Sequence, residues 1–144
     1  MNKLPLRAAF VASFALGVFA LSGCAIDGSQ KAAGQPSVSV NERDFHISAP
    51  RRLPTGEVNL SVTNHGPDAH ELIVVRERGQ QLPIRSDGIT VNEEKITSDE
   101  AGALEPADPG VRRLKLHLRP GTYVLFCNMA GHYKAGMRRT VVVR

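Results

Sequence analysis

The chain has 144 residues, of which 42% are hydrophobic and 22% charged, and its formal net charge is +4. This length leaves room for one domain of ordinary size. The composition excludes collagen-like and low-complexity chains, and the apolar content is too high for wholesale disorder. The modest overall hydropathy also excludes a multi-pass membrane protein.

The first residues have the organisation of an export signal. Lys3 and Arg7 precede an uncharged apolar run, Ala8–Leu21, and small residues follow it. The run is fourteen residues long, whereas a membrane-spanning helix needs about 20. The sequence Leu-Ser-Gly-Cys that ends at Cys24 resembles the lipobox of bacterial lipoproteins, in which the signal is cut before the cysteine and that cysteine is lipidated.

The lipobox resemblance implies that the protein is exported and lipid-anchored through Cys24 to a cell-envelope membrane, on its periplasmic or outer-surface side. Residues 1–23 are then the signal peptide, residues 24–36 a flexible tether rich in small and polar residues, and residues 37–144 the folded domain. The basic residues are interleaved with acidic ones, which argues against nucleic-acid binding. Lipidation of Cys24 leaves Cys127 as a free thiol, which oxidises readily unless it is protected or used.

Short β-branched or alternating runs fill most of the domain, and turn signals such as Arg119-Pro120-Gly121 separate most of them. With no long amphipathic helix, this pattern predicts an all-β fold, a Greek-key antiparallel β-sandwich of about seven strands. The predicted strands are Ser37–Val40, Phe45–Ser48, Val58–Thr63, Leu72–Arg76, Arg112–Leu118, Thr122–Cys127 and Arg139–Val143.

One long segment, Glu77–Gly110, has little alternation. The pairs Thr90/Glu93 and Thr97/Glu100 have the spacing of a capping box and predict short helical turns. An excursion of this length is either a functional flap or a flexible loop, and the sequence leaves both readings open.

The residues with metal-binding chemistry concentrate near the end of the chain. Cys127 ends a predicted strand, and His132 and Met137 follow in the spacing Cys-x4-His-x4-Met. An upstream histidine, His70, opens a strand that a sandwich can bring to the same end. Two imidazoles, a thiolate and a weak axial thioether are the ligands of a mononuclear blue-copper site. Soft sulfur suits Cu(I) and imidazole suits both oxidation states, so these ligands favour electron transfer with little rearrangement.

The segment Gly121–Met137 (GTYVLFCNMAGHYKAGM) resembles the last ligand loop of the cupredoxins, the type 1 blue-copper proteins, and its four-residue gaps are most similar to rusticyanin and sulfocyanin. The resemblance spans residues 37–144. It implies that His70, Cys127 and His132 are equatorial copper ligands, that Met137 is the axial ligand, and that the Ala69 carbonyl lies opposite Met137. It also implies that electrons enter and leave through the exposed edge of His132.

One residue departs from the family pattern. Plastocyanin and azurin carry an asparagine directly after the first histidine, where it ties the two ligand loops together, whereas this chain has Glu71. The departure makes the hydrogen bonds around the site, and hence its potential and colour, uncertain.

Each ligand has a structural alternative. Cys127 could be a small buried apolar residue, Met137 could fill the core, and His132 could be a turn residue. His70 is preferred to His65 because His65 lies inside a turn, while His70 opens a strand and can point from its rim. The remaining candidates fit ordinary structural roles better: Met129 as a packing residue, and His46 and His117 as satisfied or solvent-facing histidines.

A metal enclosed by four protein ligands has no open coordination position, which favours an electron carrier over an enzyme. The main alternative is a copper-carrying or copper-buffering lipoprotein with the same ligands. A multicopper enzyme would need further histidine clusters, and the chain has no His-x-His pair. The expected protein is a monomer, and its partner a redox protein such as a cytochrome or oxidase subunit, steered by Lys134, Arg138 and Arg139.

Overall fold

The computed structural model describes residues 35–144. The predicted signal segment, Cys24 and most of the predicted tether lie outside the described residues. Within residues 35–144, no helix is both long enough and apolar enough to cross a membrane.

The described chain folds into two β-sheets that pack face to face, as predicted for an all-β sandwich. The first sheet has the strand order β2-β1-β4-β7 and the second the order β3-β9-β8-β5-β6. The strands are β1 (Ser37–Arg43), β2 (His46–Ser48), β3 (Arg52–Leu53), β4 (Gly56–Asn64), β5 (His70–Arg76), β6 (Glu100–Ala107), β7 (Gly110–Leu118), β8 (Gly121–Phe126) and β9 (Arg138–Val143).

The structure corrects two details of the predicted sheets. The described residues form nine strands rather than seven, because β3 and β6 were not predicted. β3 has only two residues, too few to show an alternation. β6 carries Pro106 and no β-branched residue, which a sheet tolerates here because β6 is an edge strand. The sheets are also mixed, since β1 pairs with β4, and β3 with β9, in parallel.

The alternation of apolar residues builds the core between the two sheets. In β4, the side chains of Val58, Leu60 and Val62 are buried, while the residues between them are more exposed. The facing strands β5 and β8 contribute inward residues such as Leu72 and Leu125. A side-chain period of two is what a sheet with one solvated face requires.

The excursion Glu77–Gly110 is a packed cover over the outer face of the second sheet. β5 and β8 are buried on both faces, because Ile73 and Phe126 point outward into a second apolar cluster. The excursion supplies Val91 and Ile96 to this cluster and ends in β6, which pairs with β5. We call this ordered, packed part of the excursion the covering segment; its order argues against the flexible-loop interpretation, and a function as a flap stays a prediction.

The predicted helical turns exist, but their capping differs from the prediction. A single 3-10 turn, Glu93–Lys95, is capped by the side chain of Asn92, while the hydroxyl of Thr90 bonds to Asp87. The capping box at Thr90 is therefore wrong, because Asp87 offers that hydroxyl a nearer acceptor.

The second 3-10 turn, Thr97–Asp99, starts at Thr97 itself and has no side-chain cap. The Thr97 hydroxyl donates to the carbonyl of Glu93 in the preceding turn. The capping box at Thr97 is therefore also wrong, because the two turns follow each other too closely for Thr97 to precede the second one.

Several strand ends meet at one end of the sandwich. The end of β4 at Asn64 pairs with the start of β7 at Gly110, and the end of β6 at Ala107 pairs with the start of β5 at His70. The side chain of Asn64 joins these pairs, since its Nδ2 donates to the carbonyl of Ala107 at 3.2 Å. The segment that leads into β5 is therefore fixed at this end of the sandwich by strand pairing and by the Asn64 side chain.

A buried ion pair joins two strands of the first sheet near this end. Glu42 of β1 has no exposed side-chain surface, and its Oε2 lies 3.0 Å from Nη2 of Arg112 on β7. Its Oε1 has no hydrogen-bond partner among the described residues. Burial raises the pKa of Glu42 to about 7, against the opposing charge and hydrogen bond of Arg112.

Glu42→Gln should change how stability depends on pH in the metal-free protein. A carboxyl with a raised pKa binds its proton more tightly when folded, so its stabilisation is complete below about pH 4.5 and is lost as the pH rises towards 7. We expect the free energy of unfolding of the parent to fall relative to that of Glu42→Gln by up to about 3 kcal/mol between pH 4.5 and 8. Urea unfolding at several pH values measures this difference. The exposed Glu100→Gln is the control, and an equal effect of both substitutions would contradict the assignment.

Candidate metal centre

Three predicted ligands come together at the end of the sandwich described above. His70 is the first residue of β5, Cys127 directly follows β8, and His132 lies in the loop between β8 and β9. All three are buried. Their ligand atoms lie within 4.8 Å of one another. Residues separated by 57 positions in sequence are thus brought to one point by the sheet order.

The distances fit a single metal ion. The Sγ atom of Cys127 lies 3.5 Å from Nδ1 of His132 and 4.0 Å from Nδ1 of His70. An ion bound at about 2.0 Å from nitrogen and about 2.3 Å from sulfur holds those atoms about 3.7 Å apart at a trigonal angle. The observed separations lie on either side of this value. Two imidazoles and one cysteine sulfur therefore face a common centre with little need to move.

Met137 lies next to this group in a tightly folded loop. Its side chain is fully buried. Its backbone N–H donates to the carbonyl of His132 at 2.9 Å, and its carbonyl accepts from the N–H of Cys127 at 3.1 Å. The loop thus folds back on the end of β8. The axial role of Met137 stays a prediction, since its side chain also packs in the core.

Backbone donors surround the sulfur of Cys127. The N–H groups of Glu71 and Met129 donate to it and lower the pKa of the thiol, but burial outweighs them and raises that pKa to about 11. The metal-free thiol is consequently protonated at neutral pH. The same N–H groups favour the thiolate, which is the form that binds a metal.

Glu71 stands directly after His70, where the family pattern has an asparagine. Burial and the charge of Glu93 raise the pKa of Glu71, while the backbone N–H of Asn128, next to Cys127, opposes this shift. The Glu71 carboxyl therefore lies near the residue that follows Cys127, with an acid in the position where the family has an amide.

Asn128 is a residue that the sequence did not single out. Its side chain accepts from the N–H of Val91 at 2.6 Å and donates to the Val91 carbonyl at 3.0 Å. It also donates to Oε1 of Glu93 at 2.6 Å. The covering segment is therefore bonded to the residue that follows Cys127. The available signal in the sequence was a polar residue placed directly after the apolar strand that ends at Cys127.

The outer side of His70 carries two further contacts that the sequence did not reveal. Its Nε2 lies 3.1 Å from Oδ1 of Asp44, and its carbonyl accepts from Nη2 of Arg112 at 3.1 Å. Burial and the neighbouring His132 lower the pKa of His70, while Asp44 and Asp68 oppose this shift. Both nitrogens of the ring are thus engaged, one towards the sulfur and one towards a carboxylate.

The edge of His132 is almost covered. This histidine is only 9% exposed. The ring of Phe45, half exposed itself, lies edge-on against it with the centroids 5.2 Å apart at 68°. The His70 ring meets His132 from another side, also with centroids 5.2 Å apart. Aromatic contacts therefore fix the orientation of His132.

The other candidate residues lie outside the cluster. His65 is exposed, and its Nε2 lies 3.0 Å from Oδ1 of Asn41. His117 is exposed beside Glu57, and His46 is exposed on β2. Met129 is half-buried and packs against the core. The structure thus brings His70, and not His65, to Cys127 and His132.

The basic residues of the last loop differ in their settings. Lys134 and Arg138 are exposed and line a surface cavity of about 380 Å³ next to Tyr133. The guanidinium of Arg138 lies 4.9 Å from the centre of the Tyr133 ring. Arg139 is half-buried. Two of the three cations are therefore accessible near His132.

Comparison with known proteins finds similarity in structure alone. No protein-family model and no curated protein sequence matches the chain. Auracyanin from the photosynthetic bacterium Roseiflexus castenholzii covers 76% of this chain and 98% of its own, with 16% identity and a TM-score of 0.52. Auracyanin A from Chloroflexus aurantiacus covers 77% of this chain and 100% of its own, with 15% identity and a TM-score of 0.55. Rusticyanin from Thiobacillus ferrooxidans covers 75% and 77%, with 15% identity and a TM-score of 0.54. The described residues therefore have the cupredoxin fold.

Proposed function

We propose that this protein is a mononuclear type 1 copper protein that carries single electrons at the surface of a cell-envelope membrane. The observation that carries the proposal is the buried group of two Nδ1 atoms at 3.5 and 4.0 Å from one cysteine sulfur. This group lies at one end of a cupredoxin fold. Auracyanin A, whose structure is similar to that of this chain, is a blue copper protein.

The donor set supports copper over other metals. Cys127, His70 and His132 would hold the ion, and Met137 would add a weak thioether ligand. This combination of one thiolate, two imidazoles and a weak thioether is characteristic of blue-copper sites. Bound copper would supply a one-electron couple. The protein's part is to keep the ligands fixed in both oxidation states.

The surroundings of the ligands favour electron transfer over catalysis. His70 and Cys127 have no exposed surface. With four protein ligands, no coordination position would remain for a substrate. His132 is 9% exposed while His70 and Cys127 are fully buried, so its edge would serve as the electron port. We therefore assign no enzymatic activity.

The proposed membrane anchor rests on the lipobox resemblance of the sequence Leu-Ser-Gly-Cys that ends at Cys24, since lipid on this cysteine would hold the protein at a membrane surface. We expect labelled fatty acid to be incorporated into the parent protein and not into Cys24→Ser, whereas incorporation into both would remove the basis for this anchor.

The charges near the site suggest the kind of partner. Lys134 and Arg138 are exposed beside the loop that holds His132. An acidic surface on a cytochrome or an oxidase subunit would be attracted to them, with a rate that depends on salt. The protein would act as a monomer that meets such partners in turn.

Reconstitution with copper tests the ligand set. The parent protein plus Cu(II) should show intense visible absorption from thiolate-to-copper charge transfer, and Cys127→Ser should abolish it. Met137→Leu should keep a coloured site with a raised potential, because the oxidised ion loses more from the missing thioether than the reduced ion. Met129→Leu, in the same loop, is the matched control and should leave both properties unchanged. Loss of colour in Met137→Leu as well would contradict its axial role.

A second experiment separates the electron carrier from a copper-carrying or copper-buffering lipoprotein. The loaded protein should pass electrons to an acidic cytochrome through many cycles while retaining its copper when a competing thiol ligand is present. The rate should fall with ionic strength, and Lys134→Gln should slow it more than Lys115→Gln, which removes an exposed lysine from β7. Rapid release of copper to the thiol, with slow electron exchange, would favour the metal carrier instead.

A further inference from the structure

The turn between β1 and β2 touches both histidines of the candidate centre. Arg43 pairs with His46, which leaves Asp44 and Phe45 as a two-residue turn. The Asp44 carboxylate meets His70, and the Phe45 ring meets His132. This turn belongs to the first sheet, whereas the ligands come from the second sheet and its loops. It is therefore an independent element placed against the outer side of the centre.

The backbone conformation of this turn is strained at Phe45, so a side-chain contact must help to stabilise it. Phe45 has φ +62°, in the left-handed region. Glycine and asparagine are the usual residues there, and a bulky residue in this region costs about 1–2 kcal/mol. The edge-on contact with His132 offsets part of that strain, and it holds the turn against the site. Asp44, next to Phe45, is thereby kept in place as well.

The contact between Asp44 and His70 decides which ring nitrogen carries the proton. A carboxylate can only accept a hydrogen bond, so the Nε2 atom 3.1 Å from it must be the donor. The neutral ring then has a free lone pair on Nδ1, the atom that faces the sulfur of Cys127. Because His70 is fully buried, water cannot supply another partner for Nε2.

We propose that Asp44 is a positioning residue that locks His70 in the ligand-ready form and biases the centre towards the oxidised ion. This inference rests on the proposed copper function. A carboxylate that accepts a hydrogen bond from the imidazole increases the electron donation of the other ring nitrogen to a bound metal ion. This stabilises the more highly charged, oxidised ion more than the reduced one. Asp44 is accordingly a determinant of the reduction potential.

Asp68 provides a matched control on the same histidine. Its charge also acts on His70, yet the hydrogen bond to the ring comes from Asp44. Asp44→Asn and Asp68→Asn each remove one negative charge from the neighbourhood of the ring. Only Asp44→Asn also replaces the acceptor-only carboxylate that contacts the His70 ring by an amide, which can donate as well as accept. A general effect of charge would therefore act through both residues, whereas the proposed effect is specific to Asp44.

The first test uses the parent protein without metal. Nitrogen-15 shifts of the His70 ring should show the proton on Nε2, and Asp44→Asn should lose this single form, since an amide can donate as well as accept. A proton on Nδ1 in the parent overturns the proposal. This measurement does not depend on copper, so its outcome is separate from that of the proposed function.

The second test uses the copper-loaded protein. Asp44→Asn should lose about tenfold more affinity for Cu(II) than for Cu(I), which corresponds to a potential raised by about 59 mV. Competition titrations and spectroelectrochemistry measure these quantities, and Asp68→Asn should change them much less. Equal changes in both variants, or an unchanged affinity ratio in Asp44→Asn, overturn the proposal. If the parent protein plus Cu(II) shows no thiolate-to-copper absorption band, the proposed function is overturned instead. The position of the ring proton in the metal-free protein is measured independently of that result.

Discussion

The sulfur of Cys127 is the constraint around which this end of the molecule is organised. A thiol that is fully buried stays protonated unless a positive ion replaces its proton, as the raised pKa shows. Yet the structure gives this sulfur two backbone N–H donors and two facing imidazoles. An apolar packing residue gains nothing from these polar groups, whereas a thiolate is stabilised by hydrogen-bond donors. The same arrangement keeps the sulfur from solvent and leaves His132, at 9% exposure, as the one member of this cluster that reaches the surface.

The supports of this sulfur come from every part of the fold. The loop after β8 folds back through hydrogen bonds between Cys127, His132 and Met137. Asn128 bonds to the covering segment, and the carboxyl of Glu71 lies near the same strand end. Rigid surroundings of this kind suit a site whose ligands must not rearrange when the charge of the ion changes.

Several charged groups lie near the three clustered ligands. Glu42 and Arg112 form a pair inside the sandwich, and Arg112 also donates to the carbonyl of His70. Asp44 contacts the His70 ring, and Glu71 directly follows His70 in the chain. Burial raises the pKa values of both Glu42 and Glu71, which favours their neutral forms. Charge around the ligands is therefore set by the packing of the fold as well as by the number of acidic residues.

The sequence by itself determined the class of fold and the chemistry of the site. Period-two alternation in runs such as Val58–Thr63 predicted strands, and Cys127, His132 and Met137 lie so close in sequence that one loop must hold them. The strand position of His70 already favoured it over His65, and the structure brings His70 to Cys127 and His132. Only the tertiary structure revealed that Asp44, Asn128 and Arg112 contact these residues or their neighbours. Those contacts join elements up to dozens of residues apart, and their geometry follows from strand pairing and sheet packing, which leave no local pattern in the chain.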